Sequence, residues 1–435
     1  MDGRIKLASG LYNLIWSAAI PLLRFNPRLS QGFKERQLKE NLPQPTDIWI
    51  QAASVGESFL AAELLRHLRF ADPVKILLTS NTLQGLEAMS GTIERIQLTG
   101  NNINAHCAYF PFDKPAIMQQ AVTLAHPRVM VLLETELWPG LLLALKTYGC
   151  RILVVNGRLA EKSLRKYLIW PGLWQYLRPD RILAVSEADG QRFAELFGEK
   201  YVGVMPNMKF DRIEPAEFAG RSENAIRDIL PAASEFMVLG SVRRQEEIPI
   251  ENMLRDLHAA CPRTVIGLFP RHLSRLSFWQ KRLDRLRIDY TLRSKIENRV
   301  PAGTVILWDT FGELSPAYGL SKAAFVGGSL APLGGQNFLE ALACGVRPVI
   351  GPSWENFAWV GPQIVDQKLV QVARDWQEAR DLLIEGLKNP EPHQQIKEKA
   401  MEYFAKHRGG TLQACRLIES FFQRPERSGM SMPLV

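Results

Sequence analysis

Apolar residues along this chain come in short runs separated by longer stretches whose apolar positions recur at helical spacing. From residue 47 the runs read DIWIQAA, KILLTS, VMVLLE, RILVVN and RILAVS, with helical patterns between them that start notably at Glu57 and Pro139. Runs that are continuously apolar, rather than alternating, mark strands covered on both faces, as in a parallel sheet flanked by helices. The pattern restarts near Phe236 with MVLGS, TVIGLFP, VILWDT, AAFVGGS and RPVIGP. An α/β chain with two parallel-sheet domains is therefore predicted, residues 46–205 and 206–435, joined near Met205 to Asp211. They would face each other across a cleft lined by the carboxyl ends of their strands, where ligands bind in such sheets. A final helical stretch, residues 394–423, is long enough to cross back and brace the first domain.

Composition changes the picture mainly at the amino end. A chain of 435 residues with 46% hydrophobic and 23% charged residues has the material for two cores and is not disordered. Its formal charge of +8 calls for an acidic partner, and residues 1–45, with seven basic and three acidic residues, supply half of that excess. Within this segment seventeen uncharged residues separate Lys6 from Arg24, at the lower limit for spanning a bilayer and interrupted by Asn13 and Pro21. Tyr12 and Trp16 suit a lipid interface, so residues 1–45 read as a shallow, membrane-associated helical segment on an anionic surface. A cleaved signal peptide, with Ser17-Ala18-Ala19 as its cleavage site, and a plain core helix remain open beside that reading. A nucleic-acid partner is disfavoured, because the basic excess lies beside an apolar segment and is not interleaved with aromatics. Cys107, Cys150, Cys261, Cys344 and Cys415 are scattered without a CxxC, which suits a reducing cytoplasm and indicates neither a disulfide framework nor a zinc cage. No HExxH or DxD is present; Glu134-Thr135-Glu136 is the nearest acidic pair, and no metal site or cofactor is expected.

Candidate chemistry concentrates at the predicted strand ends. In AFVGGSLAPLGGQNFLEALACGVRPVIGP a strand ends at Val326, and Gly327 and Gly328 bring backbone N–H groups close enough to bind a phosphate, with Ser329 adding a hydroxyl. Residues 337–343 read as a short helix whose amide end favours an anion, and Glu340 could accept hydrogen bonds from ribose hydroxyls. The alternative is an ordinary βαβ unit whose glycines serve tight turns alone. In the first domain Ala52-Ala53-Ser54-Val55-Gly56-Glu57 joins a strand to a helix. Glu57 there is either a base held ionised at a helix start or a residue that merely stabilises the first turn. Glu134 and Glu136 end the strand VMVLLE, where one carboxylate faces the cleft or both serve capping and ion pairing. Lys209, at the crossover Asn207-Met208-Lys209-Phe210-Asp211, either neutralises charge on a leaving phosphate or substrate carboxylate, or is simply solvated.

In this order, AASVGE at 52–57, ETELWP at 134–139, MKFD at 208–211, Pro270-Arg271-His272, Phe325 to Ser329 and Asn337 to Glu340 resemble the 3-deoxy-D-manno-octulosonic acid (Kdo) transferases, over residues 5–420. The resemblance implies a GT-B glycosyltransferase with two Rossmann-like domains that moves Kdo from the co-substrate CMP-Kdo onto a lipid A precursor. It implies lipopolysaccharide biosynthesis at the cytoplasmic face of the inner membrane, with direct inverting displacement and no metal. It further implies that Glu57 is the base and that Glu134 and Lys209 stabilise the transition state. Pro270, Arg271, Phe311, Gly312, Glu313, Asn337, Phe338, Leu339 and Glu340 would hold CMP, with Gly327, Gly328 and Ser329 beside its phosphate. The chain departs from the family pattern at Gln51, where histidine is usual, at Gln336, again for histidine, at Pro206-Asn207 for Gly-Ser, and at Arg243-Arg244. Two other outcomes are a transferase for a different acidic sugar or acceptor, and a membrane-attached protein that binds nucleotide or lipid without turnover.

Overall fold

The computed structural model describes residues 3–97, 102–213, 223–232 and 235–423. The chain forms two compact units: residues up to Arg212 together with the chain from His407 make the first, and Ile213–Lys406 make the second. The division falls a few residues beyond the boundary read from the sequence, and the chain crosses it twice.

The first unit is built on a seven-stranded sheet, β1 (Ile48–Ala52), β2 (Val74–Ser80), β3 (Ile103–Tyr109), β4 (Val129–Leu133), β5 (Arg151–Gly157), β6 (Arg181–Ala184) and β7 (Val202–Val204), in the order 3-2-1-4-5-6-7 with every pair parallel. Alternating side chains feed two cores. Trp49, Met130, Leu132 and Val154 pack under the helices Pro115–Ala125, Pro139–Tyr148 and Glu187–Phe197, while Ile48, Ile50, Val131 and Leu133 pack on the other face under Val55–His67 and Leu83–Gln97. Because β1 lies between β2 and β4, strand order reverses at the β1/β4 edge, where the carboxyl ends of adjacent strands open a crevice.

The stretch at 394–423 is two helices rather than one. His393–Lys406 belongs to the second unit and Gly410–Gln423 to the first, the break falling at Gly409, whose φ of 104° lies outside the range other residues adopt easily. Ala414, Cys415 and Ile418 of the last helix complete the second core of the first sheet. Asp211 caps its start, accepting from the N–H groups of Gly409 and Thr411 (both 2.7 Å), while Arg128 and Arg151 donate to the carbonyls of Phe422 (3.1 Å) and Phe421 (2.7 Å) at its end.

The amino-terminal helix, Gly3–Leu23, lies on the first unit. Tyr12 donates its hydroxyl hydrogen to Asp113 Oδ2 (2.9 Å), Ala116 N–H donates to Asn13 Oδ1 (3.2 Å), and Trp16 packs on Phe112. Leu7, Leu11, Leu14 and Leu22 remain exposed, and no helix among the described residues is long and apolar enough to cross a membrane.

The second unit repeats the plan with β8 (Phe236–Val242), β9 (Val265–Pro270), β10 (Tyr290–Leu292), β11 (Val305–Leu307), β12 (Ala323–Val326), β13 (Pro348–Ile350) and β14 (Gln371–Val372), ordered 10-11-9-8-12-13-14 and all parallel. Here the order reverses between β8 and β12.

Candidate active site

At the first reversal point the sheet gathers the acidic residues singled out in the sequence. Ser54 ends the turn after β1 as an N-cap and Glu57 is the third helical residue, so their side chains meet over the first turn. Glu57 N–H donates to Ser54 Oγ (3.3 Å), the Ser54 hydroxyl donates to Glu57 Oε1 (2.9 Å), and Ala53 N–H donates to Glu57 Oε2 (2.7 Å). The carboxyl group is thus nearly buried and fixed at both oxygens. Burial and the nearby negative charge of Glu136 and Glu134 push its pKa up to about 7, against the opposing pull of the Ala53 and Ser54 hydrogen bonds.

Across the reversal, β4 runs into a turn at Glu134, whose φ of 55° is a left-handed conformation costing a non-glycine residue about 1–2 kcal/mol. That turn aims Glu134 at Lys209, with Lys209 Nζ 2.7 Å from Glu134 Oε1. Lys209 is itself held by backbone geometry: Asn207 Oδ1 accepts its N–H (3.0 Å), and Asn156 Oδ1 accepts that of Met208 (2.9 Å). Lys209 is therefore no solvated side chain but one end of a fixed ion pair inside the first unit.

Glu136, two residues on, has separate partners. Trp138 Nε1–H donates to its Oε2 (2.6 Å), and Gln51 Nε2–H lies 3.4 Å from the same oxygen. Gln51 is fully buried, and its own carbonyl accepts from the Thr79 hydroxyl (2.5 Å), which accepts in turn from Trp49 Nε1–H (2.8 Å). A neutral amide at position 51 thus links a buried polar chain to the carboxylate whose charge bears on Glu57. Burial raises the pKa of Glu136 as well, opposed by these two donors. The run ETELWP shows the acidic pair but not this division of labour, because Gln51 and Thr79 come from neighbouring strands.

In the second unit the expected nucleotide-binding residues do lie at strand carboxyl ends, yet several are already engaged. Glu246, buried after β8, accepts the N–H groups of Gly328 (2.5 Å), Ser329 (3.2 Å) and Leu330 (3.3 Å), as well as that of Arg243 (2.8 Å). Gly327 N–H donates to Gly240 O (2.8 Å), and the Ser329 hydroxyl donates to Val326 O (2.7 Å) while accepting from Gly351 N–H (2.8 Å). In this structure the amides of Gly328 and Ser329, read as part of a phosphate cradle, are held by the chain's own Glu246, and that of Gly327 by Gly240. A Cβ at Gly327 would fall 2.5 Å from Glu246 Oε1, so the glycine makes room for that carboxylate.

The helix after this loop is Leu339–Ala343, shorter than read, and Phe338 and Leu339 point into the core, Phe338 against Phe357 and Trp354. Pro270 is buried at the end of β9. Glu313 is drawn inward; burial raises its pKa, but hydrogen bonds from Thr310 (2.7 Å), Trp308 (2.8 Å) and Arg293 (2.8 Å) outweigh it and hold the carboxyl below its ordinary value. Four residues stay accessible: Arg271, Gly312, Asn337 and Phe311, whose ring is 82% exposed. Glu340 accepts from the Ser315 hydroxyl and is raised in pKa by burial, against the pull of the Arg271 charge.

The profile of the family described as 3-deoxy-D-manno-octulosonic-acid transferase (kdotransferase) matches residues 24–212. A 3-deoxy-D-manno-octulosonic acid transferase of Bordetella pertussis is 30% identical over 399 residues, covering 87% of this chain and 88% of its own. One of Haemophilus influenzae is 28% identical over 409 residues, covering 92% and 93%. Among solved structures, a glycosyltransferase from Rickettsia africae superposes with a TM-score of 0.56 at 10% identity, over 88% of this chain and all of that one. The UDP-GlcNAc 2-epimerase of Neisseria meningitidis superposes with a TM-score of 0.55 at 13% identity, over 86% and 99%. At such identities the structural likenesses bear on the fold alone, which is the GT-B class that the resemblance implied.

Proposed function

The chain belongs to the 3-deoxy-D-manno-octulosonic acid transferases, and from that premise we propose that it transfers Kdo from CMP-Kdo to a lipid A precursor in lipopolysaccharide biosynthesis, with Glu57 as general base. The observation that carries the mechanism is the fixed, nearly buried Glu57 carboxyl, whose pKa of about 7 matches a base that works near neutrality. Glu57 takes the proton of an acceptor hydroxyl as that oxygen bonds to the anomeric carbon of Kdo. The bond from that carbon to the phosphate oxygen breaks, CMP leaves with the electron pair, and the configuration inverts. The Lys209 to Glu134 pair presents a cation to negative charge on the sugar carboxylate or the departing phosphate. Arg271, Phe311, Gly312 and Asn337 are the residues assigned to the CMP moiety, since their surfaces are not consumed by internal packing, with the partly buried Glu340 beside the Arg271 charge. Work at the cytoplasmic face of the inner membrane is supported by the basic amino-terminal segment and the exposed leucines of its helix.

The test is CMP release from CMP-Kdo by the purified protein, with and without a tetraacylated lipid A precursor, and the mass of the lipid product. Acceptor-dependent release with Kdo mass added is expected, and Glu57→Gln should lower kcat by about 100- to 10,000-fold while leaving CMP affinity unchanged. A folded protein that binds CMP but releases none in either condition would sink the proposal.

A further inference from the structure

Beside the acidic cluster, on the first unit, lies an apolar cavity of about 240 Å³ between the amino-terminal helix and the helices Pro139–Tyr148 and Pro171–Leu177. Its walls include Ile5, Leu11, Ile15, Leu143, Trp170 and Leu173. Tyr12 also lines it, but its hydroxyl is committed to Asp113. A hydrocarbon-lined space of this kind is poorly wetted and takes up apolar ligands. Pro139 and Gly140 form part of the lining and follow directly on Trp138, the residue that holds Glu136. One junction between loop and helix therefore serves both the carboxylates and the cavity. Leu7, Leu14 and Ile169, each next in sequence to a lining residue, are left in solvent, Ile169 at 83% exposure. The short helix leading to Ile169 carries exposed Lys162 and Lys166, cations suited to lipid phosphates, beside an exposed Glu161 that pairs with Arg165.

We infer that this cavity is a binding site for one fatty-acyl chain of the acceptor lipid, holding the tail while the sugar hydroxyl is presented to Glu57. The inference rests on the transferase reading for its acceptor but not for its occupant, which is chosen by the apolar lining, the exposed lysines of the helix preceding Trp170 and the shared junction with Glu136. An acyl chain seated there contributes the same in ground and transition states, so its loss should appear in KM and not in kcat.

Occupancy can be read without turnover. Trp170 lines the cavity, so in the full-length protein dibromostearate should quench a component of tryptophan emission that Trp170→Phe removes. Ala8→Phe, which fills the space from the amino-terminal helix, should abolish that component and raise KM for the acylated acceptor about tenfold. Leu143→Phe, from the facing helix, should do the same if Ala8→Phe compromises folding. The absence of a Trp170-dependent quench, or a quench and KM unchanged by both filling variants, would overturn the site. So would a KM rise matched by an equal loss of binding to vesicles of anionic phospholipid, which would assign the face to the bilayer surface. Quenching with no sugar transfer to any acylated acceptor would leave the site standing and remove the transferase reading instead.

Discussion

At Glu57 the carboxylate that closes the first turn of its helix is also the one proposed as the base. The first-turn role read from the sequence is present, since Ser54 and Ala53 hold both carboxyl oxygens, but the helix start does not keep the group ionised, because burial and a second acid raise its pKa to about 7. Below that value the group is protonated and cannot act as a base. The pH profile of kcat/KM should therefore climb toward about 7 and flatten above it. Removing the neighbouring charge with Glu136→Gln makes ionisation easier, so the acid limb should move to lower pH; a limb that stays in place would show that Glu57 is not the titrating group. What the sequence hides at this scale is competition between partners distant along the chain. The Gly327-Gly328-Ser329 motif is correct as a loop that exposes amides, but Glu246 takes them from the far side of the sheet reversal. Gln51, similarly, reads as one polar letter in an apolar run, and only the β1 to β2 register beside Thr79 gives it a role.

Among the elements, legibility follows position in the sheet. Every strand marked by a continuous apolar run is present, whereas β3, β7, β10 and β14 are not evident in the sequence, and these are the outermost strands of the two sheets. An edge strand is paired on one side only, so β3 carries Asn104 and His106 within it and β14 is two residues long. The helix at 337–343 shortens because Phe338 is drawn into the core. The junction of the amino-terminal helix with the body is an element-scale feature with a measurable titration. Asp113 accepts from Tyr12 and from the N–H groups of Gly140 (2.9 Å) and Leu141 (2.7 Å), and burial raises its pKa to about 7 despite these donors. The folded state thus holds a proton that the unfolded chain releases at lower pH, so this group's contribution to stability falls as pH rises from the ordinary carboxyl range to about 7. Asp113→Asn should flatten that part of the urea-denaturation profile; an unchanged slope would show that Asp113 is ionised throughout.

For the whole molecule, the two-domain plan was readable because the strand pattern restarts, and the return of the final helical stretch to the first domain was read from its length, while its division at Gly409 into two helices serving two units was not. The first sheet depends on a helix that lies about 200 residues further along the chain. A fragment of residues 1–212 should therefore expose the apolar face vacated by Ala414, Cys415 and Ile418, elute as aggregate in size-exclusion chromatography, and recover a monomeric, near-UV-structured state on addition of a peptide of residues 407–423. A well-folded monomeric fragment would refute this dependence.

The cap that Asp211 provides for Gly409 and Thr411 also sets a schedule. Asp211 sits two residues from Lys209, so the turn that carries Lys209 is pinned by a helix that begins about 200 residues further along the chain. At roughly 5–20 residues per second, the 194 residues from Ile213 to Lys406 impose a wait of about 10–40 s between emergence of the acidic cluster and arrival of its anchor. A nascent chain would thus fix the Lys209 turn only after the whole of the second unit has been synthesised.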